Sequence, residues 1–472
     1  MSDDLAFLSA AEAGRRIAAG TLSPVSLVRC MLDRIAALND RLHIYITVVA
    51  EAALEAASQA EAEIAAGRHH GPLHGVPFAV KDNYFTAGIR TTGGSRLMLD
   101  TVPETSAEAV LRLQAAGAIL LGKLNTWEYG TGNGGVYFDL PFPPARNPWN
   151  PDRFTGGSST GAGAAIVAGL AAFTMGSDTG GSVRLPAAAC GTIGLKPTYG
   201  RVSRAGMLPN CWSLDVAGPL CRTTEDAALV LAVLAGSDPK DEATRDLPVP
   251  DYDAGRSGGV AGLRIGVIRG AGDEMPSPAQ QQALEEAAAS LADAGAVLVP
   301  TSFPADLALY RRANSIINWS ESFSIHEKDA TERPHLMGRA LRAKMVAGAT
   351  VRAADYLAAL RQRRLLAAGI ETMFDDVDAL LLPGTQAVAP PFEQAEAVVD
   401  FTRRSWMAPF SLSGHPALTF PAGFDPAGMP RNVQLATRWF DEATLLRCAA
   451  ALETSGTWPP RHPALALEPI PE

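Results

Sequence analysis

Apolar residues recur at three- and four-residue spacing through Val28–Leu38 and Ala50–Ala65, and this pattern predicts helices over the stretch from Ser9 to about Gly67. The pattern then changes. Gly71-Pro72-Leu73-His74-Gly75-Val76-Pro77 is punctuated by glycine and proline and leads into Phe78-Ala79-Val80-Lys81-Asp82, a short buried strand ending at a lysine. Two later stretches share one layout. Ala107–Ala116 predicts an amphipathic helix stopped by Gly117, followed by the strand Ala118–Leu121; Ala279–Ala294 predicts another, stopped by Gly295 and followed by Ala296–Val299. Helix, glycine stop and apolar strand form the αβ unit of a sheet covered by helices, so the expected class is α/β. The polar, proline-bearing stretch Ser237–Gly259 reads as an exposed loop in preference to a domain linker, with a fresh strand at Leu263–Ile268.

Composition narrows the function. Apolar residues make up 47% of the 472 residues and charged ones 19%, which excludes disorder. At this length folding buries roughly three quarters of the chain's surface, so no covalent staple is needed. The net charge of −10 and the lack of any basic cluster beyond Arg361–Arg364 argue against direct nucleic-acid binding, though not against an RNA presented by a partner protein. The five cysteines (Cys30, Cys190, Cys211, Cys221, Cys448) are scattered, and only His69 and His70 are adjacent histidines, so no metal-ligand set is expected. Met1-Ser2-Asp3-Asp4 is acidic where a secretory leader is basic. The longest charge-free run, Phe154–Ser177, is too rich in Gly, Ser and Thr to span a membrane. A cytoplasmic chain in a reducing compartment is the expectation.

Candidate chemistry concentrates in Thr155-Gly156-Gly157-Ser158-Ser159-Thr160-Gly161 and Met175-Gly176-Ser177-Asp178-Thr179-Gly180-Gly181-Ser182-Val183-Arg184. Small residues let backbone N–H groups approach a ligand, and a serine-lined helix start adds donors, a combination suited to an oxyanion or a phosphate. Gly156–Ala165, Gly176–Pro186 and Gly191–Pro197 resemble the signature region of the amidase signature family, Gly75–Asn83 resembles its lysine strand, and Pro416–Phe424 and Phe440–Arg447 its C-terminal segments. The likeness runs from about residue 5 to 455.

This resemblance implies one domain over 1–472 with a mixed central β-sheet covered by helices on both faces. Within it lie an N-terminal helical segment (1–70), a signature core (71–235) and a C-terminal part of the same sheet (260–460). It assigns Ser182 as nucleophile, Ser158, preceded by a cis peptide bond, as the bridging serine, and Lys81 as base, with the N–H groups of Thr179, Gly180, Gly181 and Ser182 as oxyanion hole. Chemically, a serine hydroxyl needs a base within hydrogen-bond reach, and lysine serves only when burial or a positive field makes it neutral. The implied reaction is hydrolysis of a small-molecule carboxamide through an acyl-enzyme, with neither metal nor organic cofactor. The alternative is the glutaminase A subunit of a tRNA-dependent (glutamyl/aspartyl-tRNA) amidotransferase. That subunit commonly reads S-I-R-Q-P where this chain has Ser182-Val183-Arg184-Leu185-Pro186, which favours a free-standing amidase. Expected partners are the amide substrate and, at most, a second copy of the chain as a homodimer, with no membrane.

Weaker expectations place Tyr129, Gly132 and Ser159 near substrate, together with the loop Thr131–Phe142 and the stretch Trp406–Phe410. Ser159 reads more readily as a hydrogen-bond partner behind the site, and Asp178 with Arg184 as a structural ion pair. Two motifs compete. Gly157–Gly161 fits the G-x-S-x-G elbow with Ser159 as nucleophile and His415 or His462 as partner, but Asn150–Phe154 before it is turn-like where an elbow needs a strand. Gly117–Lys123 approximates a P-loop, but Leu124 replaces the required Ser or Thr and its middle is an apolar strand.

Overall fold

Local punctuation sets most element boundaries. Ser9 and Ser23 cap the helices Ala10–Ala18 and Pro24–Leu42, each side chain accepting from a backbone N–H of the first turn, and Pro24 adds its preset φ. Gly117 (φ 79°) and Gly295 (φ 93°) adopt the left-handed conformation after the helices Glu108–Ala115 and Pro278–Asp293. One element departs from the helical reading of Ser9–Gly67: His43 turns left-handed (φ 51°), and the β-favouring Tyr45-Ile46-Thr47-Val48 form a strand before the helix Ala50–Ala65.

The computed structural model describes residues 3–132, 137–458 and 461–466. Its strands are β1 (Tyr45–Val48), β2 (Pro77–Lys81), β3 (Ile119–Leu124), β4 (Phe173–Asp178), β5 (Ile193–Lys196), β6 (Val216–Cys221), β7 (Arg264–Val267), β8 (Val297–Pro300), β9 (Ala379–Pro383), β10 (Ala417–Phe424) and β11 (Pro430–Thr437). They form one sheet in the order β1-β3-β2-β4-β6-β5-β10-β11-β9-β7-β8. Strand β2 runs parallel to both β3 and β4, and β7 parallel to β8 and β9. The centre, β4-β6-β5-β10-β11-β9, is antiparallel throughout. Every residue of β2, β3, β4, β6, β9 and β11 is buried, which requires cover on both faces.

The stretch 237–259 holds only the short helix Tyr252–Arg256 before the chain re-enters the same sheet at β7, so it is a loop within one architecture. Among the described residues no helix is long and apolar enough to cross a membrane, and all five cysteines are buried and outside any disulfide.

Two features of this sheet position the candidate chemistry. Phe78 of β2 lies opposite Phe173 of β4, the rings stacked at 5.3 Å, and this fixes the register of two parallel neighbours. Their carboxyl ends therefore emerge side by side, carrying Lys81 and the turn after Asp178, at the edge where α/β sheets place their ligands.

Gly117 tests this packing. A Cβ there would lie 2.3 Å from the His74 ring, on a backbone that disfavours side chains. Gly117→Ala is expected to lower unfolding stability by ~1–3 kcal/mol, read from the urea midpoint at unchanged slope.

Candidate active site

Lys81 ends β2 with no exposed surface, and its Nζ donates to Ser158 Oγ at 2.7 Å and to Ser177 Oγ at 2.9 Å. Ser177 was not anticipated from the sequence. It lies on β4, beside β2, and its hydroxyl also accepts from Asn83 Nδ2 at 3.1 Å. Burial pushes the Lys81 ammonium down to about 7, against the opposing fields of Asp215 and Asp178. The neighbouring Asp82 does not neutralise it, because strand alternation turns that carboxylate the other way. There Asp82 accepts from the Thr92 N–H at 2.9 Å and lies 3.4 Å from Lys123 Nζ.

Ser158 follows a cis peptide bond from Gly157. Its carbonyl accepts from the N–H groups of Trp127 (3.1 Å) and Thr160 (2.9 Å), and Ser159 N–H donates to the carbonyl of Ser182 at 3.3 Å, tying the two serine turns together. Gly130 closes the other side: in its left-handed conformation (φ 66°), an added Cβ would stand 3.4 Å from Ser158 Oγ and 3.5 Å from Lys81 Nζ.

The turn carrying Ser182 is built on Asp178. Its Oδ1 accepts from Gly181 N–H (2.8 Å) and Arg184 Nη2 (3.0 Å), and its Oδ2 from Arg184 Nε (3.0 Å) and Val183 N–H (3.2 Å). Burial opposes this charge, but the guanidinium outweighs it and holds the carboxyl below its usual range. Arg184 reaches on to Gln434 Oε1 of β11 (2.8 Å), Met407 O (3.1 Å) and Ser411 Oγ (2.6 Å), so the turn is anchored to the far half of the sheet. One expected oxyanion donor is thereby committed elsewhere: Gly181 N–H serves Asp178. The N–H groups of Gly180 and Ser182 make no hydrogen bond among the described residues, and both residues face a cavity.

That cavity holds about 140 Å³ and is largely polar. Gly132 lines it, beside Thr131, Leu185, Asn210, Asn314 and Lys344. Lys344, from the helix Arg339–Thr350, donates to Asn210 Oδ1 at 2.6 Å and to Thr131 Oγ1 at 3.3 Å, and burial pushes its ammonium down to about 8. Nothing in the sequence marks it, because it sits among Arg339 and Arg342 on a helix that reads as a solvated face.

Other expected substrate contacts move away. Tyr129 packs beside His326 (ring centroids 4.4 Å apart) and Met337, and the hydroxyl of the fully buried Ser159 exchanges hydrogen bonds with the backbone of Ser177. Trp406 and Phe410 lie in a hydrophobic core. Within the loop Thr131–Phe142, residues 133–136 lie outside the described residues. The elbow reading loses its partners: His415 bonds to Ser413 and Glu371, and His462 stacks on Phe7. The P-loop reading loses its lysine, for Lys123 is buried on β3, its ammonium donating to Thr91 Oγ1 at 2.6 Å.

The amidase family model matches residues 26–446. The chain is 39% identical to the A subunit of the glutamyl-tRNA(Gln) amidotransferase of Moorella thermoacetica, covering 98% of this chain and 100% of that one. It is 37% identical to the protein of the same name from Roseiflexus sp., covering 98% and 99%. Among solved structures, a chain from a vestigial protein complex bearing on the evolutionary origins of an s-triazine catabolic enzyme superposes with TM-score 0.89 at 32% identity, covering 95% and 99%. The native peptide amidase of Stenotrophomonas maltophilia superposes with TM-score 0.84 at 31% identity, covering 97% and 99%.

Replacing Arg184 with methionine leaves Asp178 buried and unpaired. Arg184→Met is expected to cost ~3–5 kcal/mol in equilibrium unfolding, far more than the removal of an exposed pair such as Arg352 and Asp355.

Proposed function

The chain belongs to the amidase family, and from that membership we propose that it hydrolyses the C–N bond of a small carboxamide through an acyl-serine intermediate. The observation that carries this reading is the buried Lys81 amine, 2.7 Å from Ser158 Oγ and held near neutrality by its surroundings. In the neutral form it takes a proton from Ser158 as Ser158 takes one from Ser182. Ser182 Oγ attacks the carbonyl carbon, and the developing oxyanion is met by the N–H groups of Gly180 and Ser182. The tetrahedral intermediate collapses as the proton held on Lys81 returns through Ser158 to the departing nitrogen, releasing ammonia or an amine. Water then enters, gives its proton to the same relay and cleaves the acyl ester, restoring the Ser182 hydroxyl.

The polar cavity supports a small, polar substrate. Lys344 offers it a cation, suited to a carboxylate or a polarised carbonyl at the end remote from the scissile bond.

A second reading shares this chemistry and adds a partner: a glutaminase subunit that passes ammonia to a tRNA-dependent amidotransferase. It is favoured by the name carried by relatives 36–39% identical over nearly the whole chain, and Lys344 suits the α-carboxylate of glutamine. Leu185, which departs from that subunit's usual glutamine, lines the cavity and favours the free-standing amidase.

Ammonia release from glutamine, short aliphatic amides, aryl amides and ureas separates the two. Turnover of several simple amides by the isolated chain supports the free-standing enzyme. Glutamine as the sole substrate, with a copurifying partner, supports the subunit. In either case Ser182→Ala and Lys81→Ala are expected to lower kcat/KM by ~10²–10⁴-fold or more, and near-normal turnover by either variant refutes the relay.

The pH profile is a separate test. The base works only when deprotonated, and its pKa in the folded protein is about 7. The profile of kcat/KM is therefore expected to rise as pH increases through about 7 and to level off above it. Rates already flat from pH 5 contradict Lys81 as the base.

A further inference from the structure

The sequence shows only the adjacent His69 and His70, so no metal-ligand set is apparent from spacing. Folding corrects that expectation away from the active site. Glu63, on the last turns of the helix Ala50–Ala65, meets His70 and His74 of the loop after it, and one ligating atom from each lies within 4.8 Å of the others. We propose that Glu63, His70 and His74 form a binding site for a late first-row divalent cation, of which zinc is the type.

Distances favour this reading. Glu63 Oε2 lies 3.1 Å from His70 Nε2 and 3.4 Å from His74 Nε2. A tetrahedral ion with bonds of ~2.0–2.1 Å sets its donors about 3.3 Å apart, so both pairs already stand at ligand spacing. His70 is half exposed and packs edge-on against the ring of the buried His74, the centroids 4.5 Å apart. Imidazole and carboxylate donors select zinc, cobalt or nickel over the all-oxygen preference of magnesium and calcium. Gln59 Nε2 donates to the other oxygen of Glu63 at 3.0 Å and orients the carboxylate. A groove of about 450 Å³ opens beside the triad, leaving room for a water ligand in the fourth position.

Coordination changes one local hydrogen bond. The backbone N–H of His70 now donates to His74 Nδ1 at 3.2 Å, which leaves the neutral ring's proton on Nε2. Binding at Nε2 moves that proton to Nδ1, so the His70 amide must turn aside. Gly67 (φ 76°) and Gly71 (φ 114°) bracket the segment that turns. The ion would clamp this helix to the loop feeding β2, the strand that ends at Lys81, and its role is to stabilise that strand.

The test uses the full, untagged chain stripped by a chelator and titrated with Co²⁺, then with Zn²⁺. Saturation at one equivalent with visible cobalt absorption, displacement by Zn²⁺ and a raised Tm are expected. Glu63→Gln and His70→Ala, both at partly exposed positions, are expected to weaken binding about tenfold or more while amide hydrolysis is retained. They avoid the buried His74, whose loss endangers folding. Failure of the stripped protein to bind either ion saturably, or equal binding by both variants, overturns the proposal.

Discussion

The structure depends on keeping one amine out of water without giving it a carboxylate. Lys81 is wholly buried, its hydrogen-bond partners among the described residues are two hydroxyls, and the negative charges whose fields raise its pKa belong to Asp215 and Asp178. Each of those charges is engaged elsewhere. Asp178 is wrapped by the Arg184 guanidinium and three backbone N–H groups. Asp215 accepts from Thr179 Oγ1 and from the N–H groups of Asn210 and Cys211, while burial drives its carboxyl toward the neutral form. An unscreened carboxylate at either position would hold the lysine protonated. The ion pair of Asp178 and Arg184 therefore shapes the turn that carries Ser182 and also withholds a charge from Lys81.

What the sequence made legible was local. The glycine stops at 117 and 295, the apolar run into Lys81 and the glycine-serine turns are written in contiguous residues, and each sits within a residue or two of its expected place. Lys81, Ser158 and Ser182 are marked by the family resemblance alone, and the meeting of Lys81 with Ser177 is a consequence of β2 lying beside β4. Less legible were relations between distant segments. Nothing in the order of strands shows that β5 borders β10, or that Arg184 is completed by Gln434 some 250 positions on. The cavity wall was invisible for the same reason: Asn210, Asn314 and Lys344 come from three separate stretches, and each alone reads as an ordinary polar residue.

The two competing motifs failed through context. Ser159 satisfies the spacing of a nucleophile elbow, yet it is buried behind the turn and bonds to the backbone of Ser177, while both candidate histidines are engaged elsewhere. Lys123 ends a glycine-bounded run as a phosphate-binding lysine does, but the run is a strand whose alternation sends that side chain into a buried pairing with Asp82. In both cases the spacing of residue types was right and the backbone state was wrong, and only the backbone state decides which atoms face a ligand.

The same division explains how one scaffold serves different amides. Lys81, Ser158, Ser177 and the turn from Asp178 to Arg184 all belong to strands β2 and β4 or to segments pinned to them, where a shift of a residue breaks several hydrogen bonds at once. The cavity-lining groups stand on the loop around Gly132, the segment of Asn210 and the two helices that bring Asn314 and Lys344, and none of these is a strand of the sheet. Exchange of those residues alters the shape and charge of the cavity and leaves the Lys81–Ser158 hydrogen bond untouched. A peptide amidase and a glutamyl-tRNA(Gln) amidotransferase subunit both align with this chain over nearly its full length, and that is the outcome expected when chemistry resides in the sheet and selectivity in its attachments.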